Sequence, residues 1–364
     1  MGFKCGLVGL PNVGKSTIFN AVTRAGAEMA NYPFCTIEPN VGVVEVPDPR
    51  LQVLADFVHP QRIVPAVMQF VDIAGLVAGA SKGEGLGNQF LSHIRETDAI
   101  LHVVRCFEDP DVVHVSGSVD PLRDVEIIET ELILKDMETL DGARTKAEKM
   151  ARGGDKAAKI RLSAFEKIGA LLDAGKLAKN AELTEEEEVE MRGVGLLTAK
   201  PVFYCANVLE SEAATGNAHV EKLRAYAAEH GGDVVVICGK IEAELAEMEP
   251  EDRDAFLKDL GLDEPGLNKI VRTGFRLLGK MTYFTAGEKE VKAWTIDVGD
   301  KAPRAAGAIH TDFERGFIRA ETVSYDDFVK CGGWNKARDA GLLRTEGKDY
   351  VVQDGDIMNF LFNV

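Results

Sequence analysis

The sequence predicts an α/β fold built around a phosphate-binding loop, interrupted by a helical hairpin and followed by a small α+β domain. Three observations predict it. Residues 9–16 read G-L-P-N-V-G-K-S and fit the pattern G-x-x-x-x-G-K-[ST] at every fixed position, between an apolar run at 3–8 and a helically spaced stretch at 17–23. Apolar strand-like runs alternate with helical stretches before residue 120 and again after residue 200, which implies a mostly parallel sheet with helices on both sides. Between 121 and 200 the β pattern vanishes and apolar residues recur every three to five positions.

Taken in order, 41–46 reads as a strand closed by Pro47-Asp48-Pro49, and 67–72 as another. Residues 99–105 are nearly all apolar, which predicts a strand buried on both faces. Val125, Ile128, Leu132, Met137, Leu140, Ala143, Ala147 and Met150 precede Gly153-Gly154, and Ile160, Phe165, Ile168, Leu171 and Leu172 follow it, predicting an antiparallel coiled-coil hairpin. Thr184 with Glu187 predicts a capping box, with 185–188 as a solvated first turn. Strands follow at 201–206 and 233–237, then helices at 252–260 and 266–278. From Met281 short β-like runs alternate with turns, at 282–285, 291–296, 350–352 and 358–362. The expected domains are 1–120 with 201–278, an insertion at 121–200, and a terminal domain at 279–364.

Composition excludes several classes. The 364 residues are 45% hydrophobic and 28% charged, with a formal net charge of −17, so nucleic acid cannot be held by the surface as a whole. The hairpin tip departs from that charge: Arg144, Lys146, Lys149, Arg152, Lys156, Lys159 and Arg161 face only Glu148 and Asp155, which predicts RNA contact there. The six cysteines show no metal or C-x-x-C spacing, and no apolar run reaches membrane-span length; with no signal peptide read at the N-terminus, a cytoplasmic protein with reduced thiols and no membrane contact is expected.

The candidate nucleotide-binding run is Asn12-Val13-Gly14-Lys15-Ser16-Thr17, in which Lys15 reaches the β- and γ-phosphates and Ser16 offers its hydroxyl to Mg²⁺. Asp72 opens D-I-A-G after a buried strand and is expected to hold a water on Mg²⁺, with Thr36 as the second hydroxyl ligand. Asn207-Val208-Leu209-Glu210 stands where guanine-binding proteins carry N-K-x-D. A carboxylate suits guanine N1–H and an amide suits adenine N6 and N7, so ATP is predicted over GTP, with Asn207 at the base edge and Val208, Glu210, Cys238 and Gly239 around it. Leu76 stands where switch GTPases place a water-orienting glutamine, predicting slow hydrolysis, with Lys15 and His114 as the catalytic candidates.

These motifs, with N-Y-P-F-C-T-I-E-P-N at 31–40, G-E-G-L-G-N-Q-F-L at 83–91 and I-H-T-D-F-E-R-G-F at 309–317, resemble the YchF/Obg-like ATPase family over essentially the whole chain. The resemblance implies a P-loop NTPase G domain of Obg type with a coiled-coil insertion and a β-grasp TGS domain. It also implies ATP preference and association with the ribosome, for which the large subunit is the expected partner, through the hairpin tip and TGS domain. In potassium-activated relatives the residue matching Asn12 helps hold K⁺, which adds K⁺ to Mg²⁺ as an expected cofactor. A nucleotide-gated adaptor in a stress response, with Cys35 as a redox input, and a GTP-specific Obg-type GTPase are the alternatives; Cys238-Gly239 in place of S-A is the departure from the pattern.

Overall fold

The computed structural model describes residues 3–27, 40–73 and 86–363. The expectations placed on Cys35, Thr36 and Leu76 lie outside the described residues.

Along the chain run β1 (Lys4–Val8), α1 (Lys15–Ala27), β2 (Val41–Glu45), α2 (Pro49–Val58), β3 (Ile63–Val64), β4 (Val67–Asp72), α3 (Leu86–Arg95) and β5 (Ala99–Arg105). The insertion holds α4 (Pro121–Arg152), α5 (Lys156–Asp173) and α6 (Glu185–Met191). Then come β6 (Val202–Asn207), α7 (Ala218–Glu229), β7 (Val234–Ile237), α8 (Gly239–Leu245), α9 (Pro250–Asp259) and α10 (Gly266–Leu277). The terminal part carries β8 (Lys280–Ala286), β9 (Val291–Asp297), α11 (Ala302–Ile309), α12 (Thr311–Arg315), β10 (Phe317–Val323), α13 (Tyr325–Cys331), α14 (Trp334–Asp339), β11 (Arg344–Glu346) and β12 (Ile357–Phe362). The chain groups into two compact units: Phe3–Val43 with Gln69–Ile270, and Val44–Met68 with Val271–Val364.

In the first unit the sheet order is β2-β4-β1-β5-β6-β7, and β1 lies parallel to β4 and β5, β5 to β6, and β6 to β7. Every residue of β5 and of β6 is buried, as expected for central parallel strands covered on both faces. The strand order places the carboxyl ends of β1, β4, β5 and β6 along one edge, where α/β folds bind ligands.

The insertion is a helical hairpin. Asp120 caps α4 by accepting from the Leu122 N–H, Pro121 fills the first turn, and Asp155 caps α5 by accepting from the Ala158 N–H at 3.2 Å. Leu140, Ala147, Phe165, Ile168 and Leu172 lie in its seam as the sequence predicts, joined by Ile133, which the predicted spacing leaves out, while Met150, which it includes, is exposed at the solvated end of α4. The capping box of Thr184 and Glu187 is present. Glu187, expected in a solvated turn, is instead buried: its carboxylate accepts from Lys167 Nζ and Ser163 Oγ at 2.7 Å each and from the Thr184 N–H at 2.8 Å. Those partners, Lys167 foremost, hold its carboxyl down at about 2.

In the second unit the order is β11-β10-β12-β8-β9-β3. The sheet closes over α11, with Met281, Tyr283, Ile296, Phe317 and Phe360 against Ala302, Ala305 and Ala306; the Tyr283 hydroxyl donates to the Ala305 carbonyl at 2.9 Å. Residues 350–352, read as a β-like run, form one isolated bridge, Val351 to Lys301, in which the Ala302 N–H donates to the Tyr350 carbonyl at 2.9 Å and the Val352 N–H to the Asp300 carbonyl at 3.0 Å, between turns at 348–349 and 354–355.

Candidate functional site

The phosphate loop joins β1 to α1. Asn12 (φ 65°) and Gly14 (φ 92°) take the left-handed conformations that turn successive N–H groups inward, and the Ile18 N–H closes the first helical turn on the Gly14 carbonyl at 3.1 Å. Gly9 admits no side chain, since a Cβ there would stand 2.7 Å from the Val103 carbonyl oxygen. Val13 is buried beneath the loop, while Ser16 and Thr17 are exposed at the N-terminus of α1, where the helix dipole favours an anion. Lys15 is 8% exposed and its ammonium pairs with the Asp72 carboxylate at the end of β4. Lys15, which Ser16 follows in the chain, and Asp72, 57 residues on, thus meet at one sheet edge. Serine hydroxyl and aspartate carboxylate are hard oxygen donors of the kind Mg²⁺ takes.

The base side is where the sequence argument needs correction. Asn207, 5% exposed, donates from Nδ2 to the Val13 carbonyl at 2.9 Å and accepts the Gly239 N–H on Oδ1 at 2.9 Å. The amide therefore ties the phosphate loop to the loop opening α8. It is not free to serve both N6 and N7 of adenine. Its remaining N–H can reach only an acceptor, and N7 is an acceptor in adenine and guanine alike. Gly14 belongs to the same construction, because a Cβ there would collide with the Asn207 amide nitrogen. Val208 is buried, its N–H donating to the Ile237 carbonyl at 2.9 Å. Cys238 is buried and burial pushes its thiol up, so this position offers backbone rather than a reactive sulfur. Glu210 is exposed, with Lys240 Nζ at 3.4 Å.

His114 follows β5, as the sequence places it, but it is 6% exposed. Its Nε2 lies 2.8 Å from Asp124 Oδ2 on α4, and its Nδ1 accepts the Ser116 N–H at 3.1 Å. Both ring nitrogens are thus engaged in this conformation. Asp124 was not read from the sequence; a buried acid in the first turn of a capped helix looks like a dipole partner until its histidine is seen. Arg105 was missed too, hidden as the last residue of an apolar strand.

At the hairpin tip Arg144, Lys146, Lys149, Arg152, Lys156 and Lys159 are exposed. Arg161 is not part of that patch, because its Nε donates to Glu190 at 2.7 Å. Among the described residues no cluster of three or more His, Cys, Asp or Glu could hold a metal ion, and no helix is long and apolar enough to cross a membrane.

A parallel sheet with a glycine-turned phosphate loop feeding α1, a buried lysine and a strand-end aspartate defines a P-loop NTPase domain of the GTPase type. Residues 4–140 match the family model described as "50S ribosome-binding GTPase", and 280–363 match YchF-GTPase_C, described as "Protein of unknown function (DUF933)". The chain is 58% identical over 364 residues, the whole of both chains, to the "Ribosome-binding ATPase YchF" of Haemophilus ducreyi. It is 55% identical over 366 residues, again all of both, to the protein of that name from Bacillus subtilis. The solved "Structure of the Schizosaccharomyces pombe YchF GTPase" superposes with a TM-score of 0.89 at 39% identity, covering 99% of this chain and 98% of that one. The chain belongs to the YchF family.

Proposed function

We propose that this protein is a Mg²⁺-dependent ATPase that binds ribosomes and acts as a nucleotide-dependent switch. The observation that carries the reading is the full-length identity of 55–58% to relatives named ribosome-binding ATPases, in a chain that builds the phosphate loop those names require.

In this reading Asn12 to Thr17 cradle the phosphates, Lys15 leaves Asp72 for the β- and γ-oxygens, and Ser16, Asp72 and Thr36 hold Mg²⁺ directly or through water. Held there, Mg²⁺ would supply neutralisation of phosphate charge. Asn12 Nδ2 donates to the Val113 carbonyl at 3.2 Å, so its Oδ1 is the atom assigned to K⁺. Asn207 holds the two loops that flank the base, and Val208, Glu210, Cys238 and Gly239 line that side. With the Asn207 amide committed to both loops, preference for ATP rests on groups around Glu210 and the 238–239 backbone. His114, locked on Asp124 here, acts on water only after that pair opens.

The basic tip at 144–159 is proposed to meet ribosomal RNA, and the second unit to act as a TGS domain, with the large subunit as the partner. Six exposed cations on a chain of net charge −17 support this, since phosphate backbone is the partner such a local reversal suits. The 121–200 segment is then an insertion in a nucleotide domain, and the protein is cytoplasmic. Equilibrium titration of nucleotide-free protein with ATP and GTP, with Mg²⁺ and with K⁺ or Na⁺, tests the assignment. Tighter binding of ATP supports it; tighter binding of GTP returns the chain to the GTP-specific alternative.

A further inference from the structure

Arg105 ends β5 with its side chain 1% exposed, among the largest fully buried side chains of the protein. A guanidinium at this depth must satisfy five N–H donors or carry a heavy desolvation cost. Three of them are met on backbone: Nε donates to the Phe107 carbonyl at 3.0 Å, Nη1 to the Val112 carbonyl at 2.9 Å and Nη2 to the Asp109 carbonyl at 3.3 Å, while Cζ lies 4.6 Å from the centre of the Phe107 ring. One rigid fork thus gathers three carbonyls of a single loop. The next residue, Val113, turns its carbonyl to Asn12 Nδ2 in the phosphate loop at 3.2 Å, and the residue after it, His114, is fastened to Asp124 at the root of the insertion. Val113 itself is 75% exposed, so no packing of its own side chain fixes that carbonyl.

We propose that Arg105 is a positioning residue for the nucleotide site: it shapes the loop at 106–117 so that the Val113 carbonyl holds Asn12 in the left-handed conformation that opens the phosphate cradle. This rests on the nucleotide-site reading above. Lysine cannot replace it, because an ammonium lacks the planar fork that reaches three carbonyls at once.

The test is a double-mutant cycle of Arg105→Lys with Asn12→Gly, the glycine removing the side-chain donor while keeping the φ of 65° accessible. The readout is the affinity of nucleotide-free protein for a fluorescent N-methylanthraniloyl ATP with Mg²⁺, beside amide hydrogen exchange of 107–117. Each single variant is expected to weaken binding by about fivefold, since each loosens one hydrogen bond of ordinary net worth. Arg105→Lys on the Asn12→Gly background is expected to change it by less than about twofold, because both act through one contact. Exchange at 107–117 is expected to quicken in Arg105→Lys. Additive effects, or wild-type affinity in Arg105→Lys, would overturn the proposal; a purely structural role lowers the melting temperature but gives no coupling to Asn12. If Arg105→Lys does not fold, the wild type decides: nucleotide binding must slow exchange at 115–117, by reciprocity of the coupling, and unchanged exchange overturns it. A folded wild type that binds no nucleotide refutes the site reading itself.

Discussion

Replacing Asn207 by alanine separates two roles that one amide could have. The side chain is 5% exposed and makes two hydrogen bonds of 2.9 Å, to the Val13 carbonyl and from the Gly239 N–H. Truncation strands both backbone groups in a buried setting, at about 1–1.5 kcal/mol each. The sum, about 2–3 kcal/mol, corresponds to a loss of roughly 30- to 150-fold in nucleotide affinity if the loops must be held as seen for binding. Because the amide ties loops and reads no atom that differs between the purines, ATP and GTP are expected to lose the same factor. Asn207→Asp refines the test: the carboxylate still accepts the Gly239 N–H but faces the Val13 carbonyl with no donor, so an intermediate loss is expected. The assay is equilibrium titration of nucleotide-free variants with fluorescent ATP and GTP analogues, with thermal melts to confirm folding. A change in the ATP-to-GTP affinity ratio beyond about fivefold would refute the reasoning and return Asn207 to the base edge.

Three further outcomes are expected. Lys15→Met removes the ammonium that Asp72 now pairs with and should abolish measurable ATP turnover while leaving a cooperative melt; turnover within tenfold of wild type would exclude Lys15 from the chemistry. Replacing Lys146, Lys149, Arg152 and Lys156 by glutamine should weaken ribosome cosedimentation and flatten its salt dependence, with intrinsic ATPase unchanged; unaltered cosedimentation removes the tip from the interface. The Glu187 carboxyl sits near 2 in the folded protein against an ordinary 4.5, so its contribution is complete above about 4.5 and is lost as pH falls toward 2. Glu187→Gln should therefore reduce the acid-side slope of stability between those values, and an identical pH–stability profile would contradict the pairing with Lys167.

The nucleotide half was legible because its signals are local. The phosphate loop is a contiguous string, β4 and β5 fall on the residues their apolar runs mark, and the hairpin repeats its pattern on both sides of Gly153-Gly154. What escaped was long-range. The partners of Asn207 lie 194 and 32 residues away, so its type suggested a base contact when its geometry makes it a strut. Glu187 read as one of four solvated acids, and only Ser163 and Lys167 on α5 reveal it as buried. Arg105 ended an apolar run and nothing in its neighbours announced that a loop would fold back over it. Alpha helix α2 went unread because Pro47-Asp48-Pro49 signals a turn as readily as the cap and first turn that Asp48 and Pro49 in fact provide.

The grouping of Val44–Met68 with Val271–Val364 has a consequence for how the protein is made. In that unit Leu51, Leu54 and Ala55 of α2 are buried, Phe57 meets Phe328 edge-on, Arg50 pairs with Asp354 at 2.7 Å, and β3 lies beside β9. The stretch emerging from the tunnel after the first strands must therefore wait for the last quarter of the polypeptide before its apolar side is covered. At ~5–20 residues per second that interval lasts roughly ten seconds to a minute. During synthesis, then, this protein exposes a sticky early segment whose partner does not yet exist, and a nascent chain stalled before its final strand is a client for chaperones rather than a half-built enzyme.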